Sequence, residues 1–467
     1  MPPVGRNILS LALSRITSGV ILFVVQARLA AHLGPDEFGK YGLVIAFYTM
    51  FLLFVDFGIS RYFIKKINEN EHATQTYFNN FLIAQLVSSV VIFFVFILLP
   101  SIFSYEADVR LAMWVAAAGL FFISMSLPFV ALLQAKHRSH LIAVVYFFDS
   151  LVKALWLAAA IIFDLDLTFL VSVLVVTGAS DLVIFWLLTR GAVRTQIRLQ
   201  KNMLQEMLRY GVTFALLVGF ETLIAKADVI IQKQYLDFSQ VGLYSAAYRF
   251  LDFLTFLPAV VAISLFPHFS GQSVIDSPEN KIMAERIHRL LLAIALPLGV
   301  GCTVLGQNIV VGFFGPEYQD AVAPFQILIW STIITLFYAV ANVVMQVKAL
   351  RQALLVLFLA TAVNLVGNIL LVPRYGILAS AWLTVLSYLI VAAWYLAGSR
   401  RYLKYPLWRS GLWPLAASAV MGLVLWQLQD WNVFALIGLA AALYFGILFA
   451  VRFLKTDDLK FKEFLKG

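Results

Sequence analysis

Apolar runs of about 20 residues recur along the whole chain, and each is long enough to cross a hydrocarbon core of about 30 Å as an α-helix. Of the 467 residues, 62% are hydrophobic and 13% are charged, whereas about a quarter of the residues of an ordinary soluble domain are charged. The sequence therefore predicts an all-α polytopic membrane protein and excludes a soluble globular fold.

Glycine, proline and charged residues divide the apolar runs into fourteen predicted transmembrane helices. The predicted helices start near residues 8, 41, 77, 109, 141, 167, 210, 240, 287, 321, 352, 376, 410 and 432. The first run is too long for the apolar core of a signal peptide, so we expect it to be retained as helix 1.

Lysine and arginine concentrate in alternate loops. One set of loops holds Lys65, Lys136, Arg190 and many other cations, whereas the opposite set holds few cations and acids such as Asp36 and Glu106. By the positive-inside rule, both termini are predicted to be cytoplasmic, in the plasma (inner) membrane of a prokaryote. The excess of lysine and arginine in the predicted cytoplasmic loops then accounts for the net charge of +9. Nucleic-acid binding is not expected, because no basic block with interleaved aromatics stands outside the apolar runs.

Two parts of the chain, residues 7–62 and 210–265, align with each other. EFGKYGLVIAF lies over QVGLYSAAYRF, which matches Gly39 with Gly242 at an offset of 203 residues. Because this offset contains six predicted helices, both copies enter the membrane in the same orientation, as parallel repeats do. The predicted organisation is an N-terminal lobe of helices 1 to 6 (1–190), a cytoplasmic amphipathic linker (191–208), a C-terminal lobe of helices 7 to 12 (209–400), and helices 13 and 14 with a basic cytoplasmic tail (401–467).

Ionisable side chains lie inside the predicted helices 1, 2 and 5 to 8, and are nearly absent from helices 9 to 14. Each charge at the centre of a membrane helix costs about 2.5–3.5 kcal/mol on insertion scales, so such groups are expected in a watery or paired interior. Glu221 and Asp228 share one face of helix 7, and Arg15 and Ser18 share one face of helix 1. Polar faces in equivalent helices of both copies predict a cavity between the lobes.

Four segments stand in order along the chain: ARLAAHLGPDEFGKYGLVIAF, DFGI, KADVIIQKQYLDFSQVGLYSAAYRF and FFGPEYQDAVAPFQIL. In order and spacing they resemble the polysaccharide biosynthesis family, the oligosaccharide-lipid (Wzx-type) flippases of the MOP exporter superfamily. The resemblance implies two six-helix lobes around a central cavity that opens alternately to each side. It implies export of a polyprenyl-diphosphate-linked oligosaccharide for O-antigen, capsule or exopolysaccharide biosynthesis.

The partners implied are the lipid-linked sugar, membrane lipids and the polysaccharide polymerase machinery, around a monomeric transport unit. No cofactor or metal is expected, and coupling to H⁺, Na⁺ or the membrane potential is left open. A diphosphate and sugar hydroxyls cannot cross hydrocarbon without polar partners. The predicted substrate-binding residues are therefore Arg15, Asp56, Arg61, Tyr244, Tyr248 and Arg249. The predicted cavity and coupling residues are Asp149, Lys153, Asp181, Glu221, Asp228 and Asp252.

Simpler roles for these residues stay open. Arg61 lies near a span end and could extend its charge to the interface. Lys153 and Arg249 each lie three or four residues from an acid, so each could form an internal pair that only neutralises charge. Tyr244 and Tyr248 could simply pack.

Two other functions are weighed against the flippase. A cation-coupled multidrug-type antiporter of the same superfamily would favour acids and aromatics in its cavity, whereas arginines accompany the acids in this chain. A polymerase or ligase of lipid-linked sugars would need a sizeable outer loop with catalytic groups. The predicted outer loops are short and the sequence has no HExxH or GxSxG motif, so an enzyme is not expected.

Overall fold

The structure, a computed structural model, describes the backbone of residues 4–193, 200–254, 256–270, 275–405, 411–429 and 431–453. Within these ranges every regular element is a helix and none is a strand. The prediction of an all-α polytopic membrane protein is confirmed.

The chain forms two compact units, one of Thr17–Gly242 and one of Met1–Ile16 with Leu243–Gly467. The two borders, at Ile16–Thr17 and Gly242–Leu243, each lie inside a helix, whereas the lobes predicted from the sequence divide at 191–208, and those lobes stay a prediction. In chain order the first helices are α1 (Val4–Asp56), α2 (Ile59–Glu69), α3 (Thr74–Ile102), α4 (Ala107–Ala135), α5 (Ser139–Phe163), α6 (Leu167–Thr189) and α7 (Lys201–Tyr235). They are followed by α8 (Phe238–Leu254), α9 (Phe256–Ser270), α10 (Pro278–Val304), α11 (Gly306–Phe314), α12 (Val322–Lys348), α13 (Leu350–Ser399), α14 (Leu412–Gln427) and α15 (Val433–Ala450).

Helices α1 and α13 each contain two spans. They have 53 and 50 residues, which at 1.5 Å per residue is more than twice the hydrocarbon thickness. Each is interrupted at a glycine with positive φ, 72° at Gly34 and 59° at Gly376. When α2 is counted as the continuation of α1, α9 as that of α8 and the short α11 as that of α10, the described helices make fourteen spans, the predicted number. Eight helical segments of the described residues are long and apolar enough to cross a membrane by length and composition alone.

Each unit has its own apolar core. In the first unit Phe63, Phe78 and Phe81 are fully buried among α2, α3 and α4. In the second unit Leu336 and Val340 of α12 are fully buried against α9 and α10. Large apolar side chains are also exposed along most helices, as expected for surfaces that face lipid.

Candidate functional site

Helices α2 and α7 touch through their backbones at two glycines of the first unit. A Cβ atom at Gly58 would lie 2.5 Å from the carbonyl oxygen of Gly211, and one at Gly211 would overlap the carbonyl oxygen of Phe57. Gly58 also has a φ of 71°, a region that glycine adopts without steric cost. Only glycine therefore fits at either position without a shift of the backbone.

Polar side chains extend this α2–α7 contact toward the end of α2. The Nζ of Lys66 lies 3.7 Å from the Glu206 carboxylate, and the Nζ of Lys65 donates to the Tyr210 hydroxyl at 3.5 Å. The Lys66–Glu206 pair is partly exposed, so its two charges are held by weak, solvent-screened attraction. These contacts can separate without leaving a buried charge unpaired.

The structure brings Asp56, Arg61 and Glu221 into one neighbourhood. The Asp56 carboxylate accepts hydrogen bonds from the backbone amide of Ser60 at 3.1 Å and from its hydroxyl at 2.5 Å. The guanidinium of Arg61 lies 4.8 Å from the centre of the Phe214 ring, and its charge acts on both Asp56 and Glu221. One cation thus acts on two carboxylates, an arrangement that can exchange a proton or an ion for a charged substrate.

A second ionic cluster lies on α5 and α6. The Nζ of Lys153 donates to Asp149 at 2.7 Å, and Asp181, which is 3% exposed, interacts electrostatically with both. The second carboxylate oxygen of Asp149 is buried and accepts no hydrogen bond from the described residues. Two carboxylates therefore share one ammonium group, so the predicted internal pair exists but does not balance the charge of this cluster.

A second backbone contact joins the start of the second α1 span to the start of α8. A Cβ atom at Gly39 would overlap the carbonyl oxygen of Phe238, and one at Gly242 would overlap that of Pro35. The contact is reciprocal, because the same Cβ atoms would lie 2.9 Å from the Gly242 nitrogen and 3.0 Å from the Gly39 nitrogen. We call this contact the glycine crossing; it joins the two glycines that the internal repeat matches.

Side chains around the glycine crossing strengthen it. The amide of Gln234 donates to the Tyr105 hydroxyl at 2.9 Å. The Nζ of Lys233 and that of Lys40 lie 4.0 and 5.8 Å from the centre of the Phe238 ring. These contacts hold together residues of α1, α7, α8 and the α3–α4 loop that are distant in sequence.

Lys40 forms an ion cluster that the sequence analysis missed. Its Nζ lies 2.9 Å from Glu37, 3.2 Å from Glu106 and 2.8 Å from Asp108, and the residue is only 8% exposed. The i, i+3 spacing of Glu37 and Lys40 was a visible signal, but nothing in the sequence indicated that the α3–α4 loop folds back onto the same ammonium group.

The predicted residues of the second unit lie on α8. The guanidinium of Arg249 is 3.6 Å from the Asp252 carboxylate. Tyr244 is fully buried and Tyr248 is 6% exposed, with 5.8 Å between their ring centres. In this conformation both rings are packed inside protein, and their proposed contact with sugars needs a rearrangement.

Two predicted residues stand apart from these groups. Asp228 of α7 is fully buried and accepts a hydrogen bond from the backbone amide of Val229 at 2.8 Å. The side chain of Arg15, predicted to bind phosphate, lies outside the described residues.

Neutral polar side chains form a buried row between the two halves of α13, which the sequence analysis missed because it followed charged residues. Asn368 donates to the carbonyl of Asn364 at 2.8 Å and accepts from the Ser380 hydroxyl at 2.5 Å. Asn364 and Thr384 are also fully buried. The sequence did contain an indication of this row, because Asn364 and Asn368 are four residues apart and therefore lie on one face of the helix. Among the described residues, no group of three or more His, Cys, Asp or Glu could hold a metal ion.

Comparisons with known proteins identify similar chains. The model of the family described as "Polysaccharide biosynthesis protein" matches residues 4–272. A "Probable flippase AglR" of Haloferax volcanii is 28% identical over 170 residues, 34% of each chain. A "Probable low-salt glycan biosynthesis flippase Agl15" of the same organism is 26% identical over 47% of this chain and 48% of the relative. The matches thus span about a third to a half of these curated relatives.

Solved structures share the fold at low sequence identity. A "Lipid II flippase MurJ, inward closed conformation" superposes with a TM-score of 0.78 at 10% identity, over 98% of this chain and 99% of the other. An "Inward-facing conformation of a multidrug resistance MATE family transporter of the MOP superfamily" has a TM-score of 0.62 at 14% identity, over 84% of this chain and 98% of the other. Helix order and packing are therefore shared with both kinds of transporter.

Proposed function

Because this multi-pass membrane chain belongs to the polysaccharide biosynthesis protein family, we propose that it is a transporter and not an enzyme. Its substrate is a polyprenyl-diphosphate-linked oligosaccharide, moved from the cytoplasmic to the outer leaflet for surface polysaccharide biosynthesis. The flippase names of the partial relatives support this substrate class. The inner membrane, with cytoplasmic termini, is its proposed location.

The observation that carries the proposal is the pair of backbone contacts along one span. The glycine crossing at Gly39 and the α2–α7 contact at Gly58 are 19 positions apart, about 28 Å of helix, which is close to the hydrocarbon thickness. Each contact joins a helix of the predicted N-terminal lobe to one of the predicted C-terminal lobe. By the predicted topology the glycine crossing is the outer contact and the α2–α7 contact is the inner one.

These two contacts are the gates of an alternating-access cycle. Opening the α2–α7 contact admits the headgroup from the cytoplasm, and opening the glycine crossing releases it outside. Arg61 of the first unit and, separately, Arg249 of the second unit are the proposed contacts of the diphosphate during the cycle, since planar guanidinium suits bidentate contact with phosphate. In this conformation each guanidinium has carboxylates nearby, and the arriving phosphate would displace those carboxylates.

The second candidate function is cation-coupled antiport of small organic molecules. The cluster of Asp149, Lys153 and Asp181 favours it, because two carboxylates beside one ammonium can bind and release a small cation. The likeness to a multidrug transporter shows only the fold.

A proteoliposome assay tests the proposal and separates the two functions. Purified protein should move a fluorescent polyprenyl-diphosphate oligosaccharide between leaflets. Cysteine pairs at Tyr105 and Gln234, and separately at Lys66 and Glu206, should each stop transport when joined by a reducible bifunctional thiol reagent in a Cys302→Ser background. Reductant should restore transport in both cases.

The matched control is a cysteine pair at Asp276 and Lys281, whose side chains are 3.0 Å apart at the start of α10. Joining this pair should leave transport unchanged. Transport of an organic cation by a protein that does not move the glycolipid would replace the flippase with the antiporter. Full transport with either gate joined would refute alternating access through these contacts.

A further inference from the structure

A groove of about 620 Å³ opens on the surface of α13, around the start of its second span. Its lining is apolar and aromatic, and consists of Leu371, Tyr375, Leu378, Ala379, Trp382, Leu383, Val385, Leu386 and Leu389. The residues named so far for transport take no part in it.

The groove has a fixed floor and an open side. Ala379 and Leu383 form the floor and are 7% and 6% exposed, whereas Tyr375 and Trp382 are more than 60% exposed. The floor is tight, because a Cβ atom at Gly367 would lie 2.5 Å from the side chain of Leu383. The two halves of α13 are therefore closely packed beneath a surface that lipid can reach.

The length of the groove indicates what kind of chain it accommodates. From Tyr375 to Leu389 the lining covers 14 residue steps, about 20 Å at 1.5 Å per residue. One leaflet contributes only about 15 Å of hydrocarbon, half of the core. An apolar chain that fills the groove thus reaches past the middle of the bilayer, which an ordinary acyl chain confined to one leaflet does not.

A cationic group stands at the turn end of the groove. Arg374 directly precedes Tyr375, is exposed, and forms no hydrogen bond or ion pair with the described residues. It lies in the turn that Gly376 creates with its φ of 59°, a turn that the predicted topology places at the outer interface. A guanidinium at a membrane interface attracts the phosphate of an anionic lipid.

We propose that this groove binds the polyprenyl chain of a polyprenyl phosphate or diphosphate in the outer leaflet, with the phosphate on Arg374. The proposal rests on the proposed function, which delivers such a lipid to this leaflet. The positive charge of Arg374 complements the negative charge of the lipid phosphate. The length of the groove favours a polyprenyl chain over the acyl chain of a phospholipid. The site is separate from the headgroup pathway and would hold the carrier lipid after release.

Photolabelling of the full chain in phosphatidylcholine nanodiscs tests the site without requiring transport. The probe is a polyprenyl phosphate with a diazirine on its chain, and mass spectrometry locates the label. We expect the label within residues 371–389, removed by excess unlabelled polyprenyl phosphate but not by excess phosphatidylglycerol. Leu386→Trp, which fills the groove, should abolish this label. Leu370→Trp, a lipid-facing change outside the lining at 63% exposure, should retain it.

Two variants of Arg374 test the contribution of its charge. Arg374→Gln should weaken the apparent affinity for the probe about tenfold, because it removes a charge-assisted hydrogen bond, and Arg374→Lys should recover part of the loss. Label outside 371–389, label unaffected by Leu386→Trp, or equal competition by phosphatidylglycerol would each overturn the proposal. If the groove is labelled as expected but the protein moves no glycolipid in proteoliposomes, only the proposed function fails.

Discussion

Arg61 lies beside the α2–α7 contact, the proposed inner gate, and acts on the carboxylates around it. Its guanidinium stacks on Phe214 and acts on two carboxylates, Asp56 and Glu221. Both hydrogen bonds of Ser60, from its amide and its hydroxyl, already occupy the Asp56 carboxylate. No hydrogen bond or ion pair is seen for Glu221 in the described residues beyond this attraction. Of the two acids, Glu221 is thus the better carrier of an exchangeable proton.

Glu221→Gln should abolish the pH dependence of transport while protein abundance in the membrane stays normal, because an amide keeps the shape of the side chain but cannot bind a proton. The measurement is the initial rate of glycolipid movement in proteoliposomes between about pH 5.5 and 8, the range in which a partly buried carboxyl can titrate. The control is Glu279→Gln, which changes an exposed acid in the first turn of α10, away from the proposed gates. If transport by Glu221→Gln keeps its ordinary rate and pH profile, Glu221 has a structural role.

Helical spacing predicted the contacts that lie within one helix and missed those between helices. Asp149 with Lys153 and Arg249 with Asp252 were expected from their spacing of four and three residues, and both pairs form. The partners of Lys40 at the start of α4, Glu106 and Asp108, are 66 and 68 positions away. Such pairs depend on how helices pack, which periodicity alone does not specify.

The buried row of α13 gives a prediction about stability. Asn368→Ala should lower the free energy of unfolding by about 1–3 kcal/mol, because it leaves the buried Ser380 hydroxyl without its present acceptor. The measurement is the thermal unfolding midpoint in detergent, followed by tryptophan fluorescence. Val366→Ala, on the exposed face of the same span, should change the midpoint little. Equal midpoints for the two variants would show that the hydrogen bond contributes no net stability.

At the level of elements, the two proposed gates share one feature, a backbone contact that glycine alone permits. Without side chains between them at the glycines, the helices approach closely enough to exclude water and lipid. Opening the α2–α7 contact would also separate apolar residues packed beside it, such as Tyr62 and Met207. The side chains that reinforce the gates are ion pairs, hydrogen bonds and cation–π contacts at the rim, where each contributes about 1 kcal/mol or less. A contact of this kind suits a surface that must open repeatedly.

Gly39→Ala should hold the glycine crossing open, because the added Cβ would overlap the Phe238 carbonyl oxygen and overpacking costs about 1–3 kcal/mol. The measurement is the reaction of a cysteine at Tyr105, which is 9% exposed beside the crossing, with an impermeant thiol reagent in a Cys302→Ser background. The reaction should be faster with Gly39→Ala than without it, and glycolipid transport should fall.

The matched control for this prediction is Gly312→Ala on α11, where an added Cβ meets nothing within 4 Å. That variant should leave cysteine reactivity and transport unchanged. An unaltered reaction rate in properly inserted Gly39→Ala protein would show that the crossing tolerates a side chain and is not a tight closure.

The number of spans was predictable from the sequence because it depends on apolar length, which the bilayer thickness fixes. The breaks at Gly34 and Gly376 were also visible, since each lies beside a charged or proline-containing turn. The border of the compact units at Gly242–Leu243 was not predictable from the sequence. It lies directly after the contact of α8 with α1, and that contact is made by two glycines that carry no hydrophobic or charge signal.

For the whole molecule, the predicted orientation follows from loop charge and can be tested directly. Single cysteines at Ser139 and Asp166, in a Cys302→Ser background, mark the two ends of α5 and its loop to α6. In intact cells the cysteine at Asp166 should react with an impermeant thiol reagent, and that at Ser139 should react only after permeabilisation. The reverse pattern would invert the orientation and exchange the outer and inner gates.

Orientation in turn sets how the membrane potential acts on transport. For the proposed substrate, a diphosphate headgroup with two negative charges that crosses outward, away from the negative inside of the membrane, gains about 2.3 kcal/mol per charge per 100 mV, about 4.6 kcal/mol in all, or more than a thousandfold at equilibrium. In the proposed function the potential therefore supplies drive even without an ion gradient, and the proposed role of arginines such as Arg249 is mainly to offset desolvation of the phosphates.

A potassium-diffusion potential in proteoliposomes measures this effect. With valinomycin and no proton or sodium gradient, an inside-negative potential should raise the outward share of a labelled polyprenyl-diphosphate oligosaccharide, and reversing the potential should lower it. A neutral lipid-linked sugar of the same chain length is the matched control and should not respond. If the distribution of the anionic lipid is the same at zero and at 100 mV, the charge of the lipid is neutralised while it crosses the membrane. A counter-ion would then travel with it, and the clusters around Asp181 and Glu221 would be the first places to look for that ion.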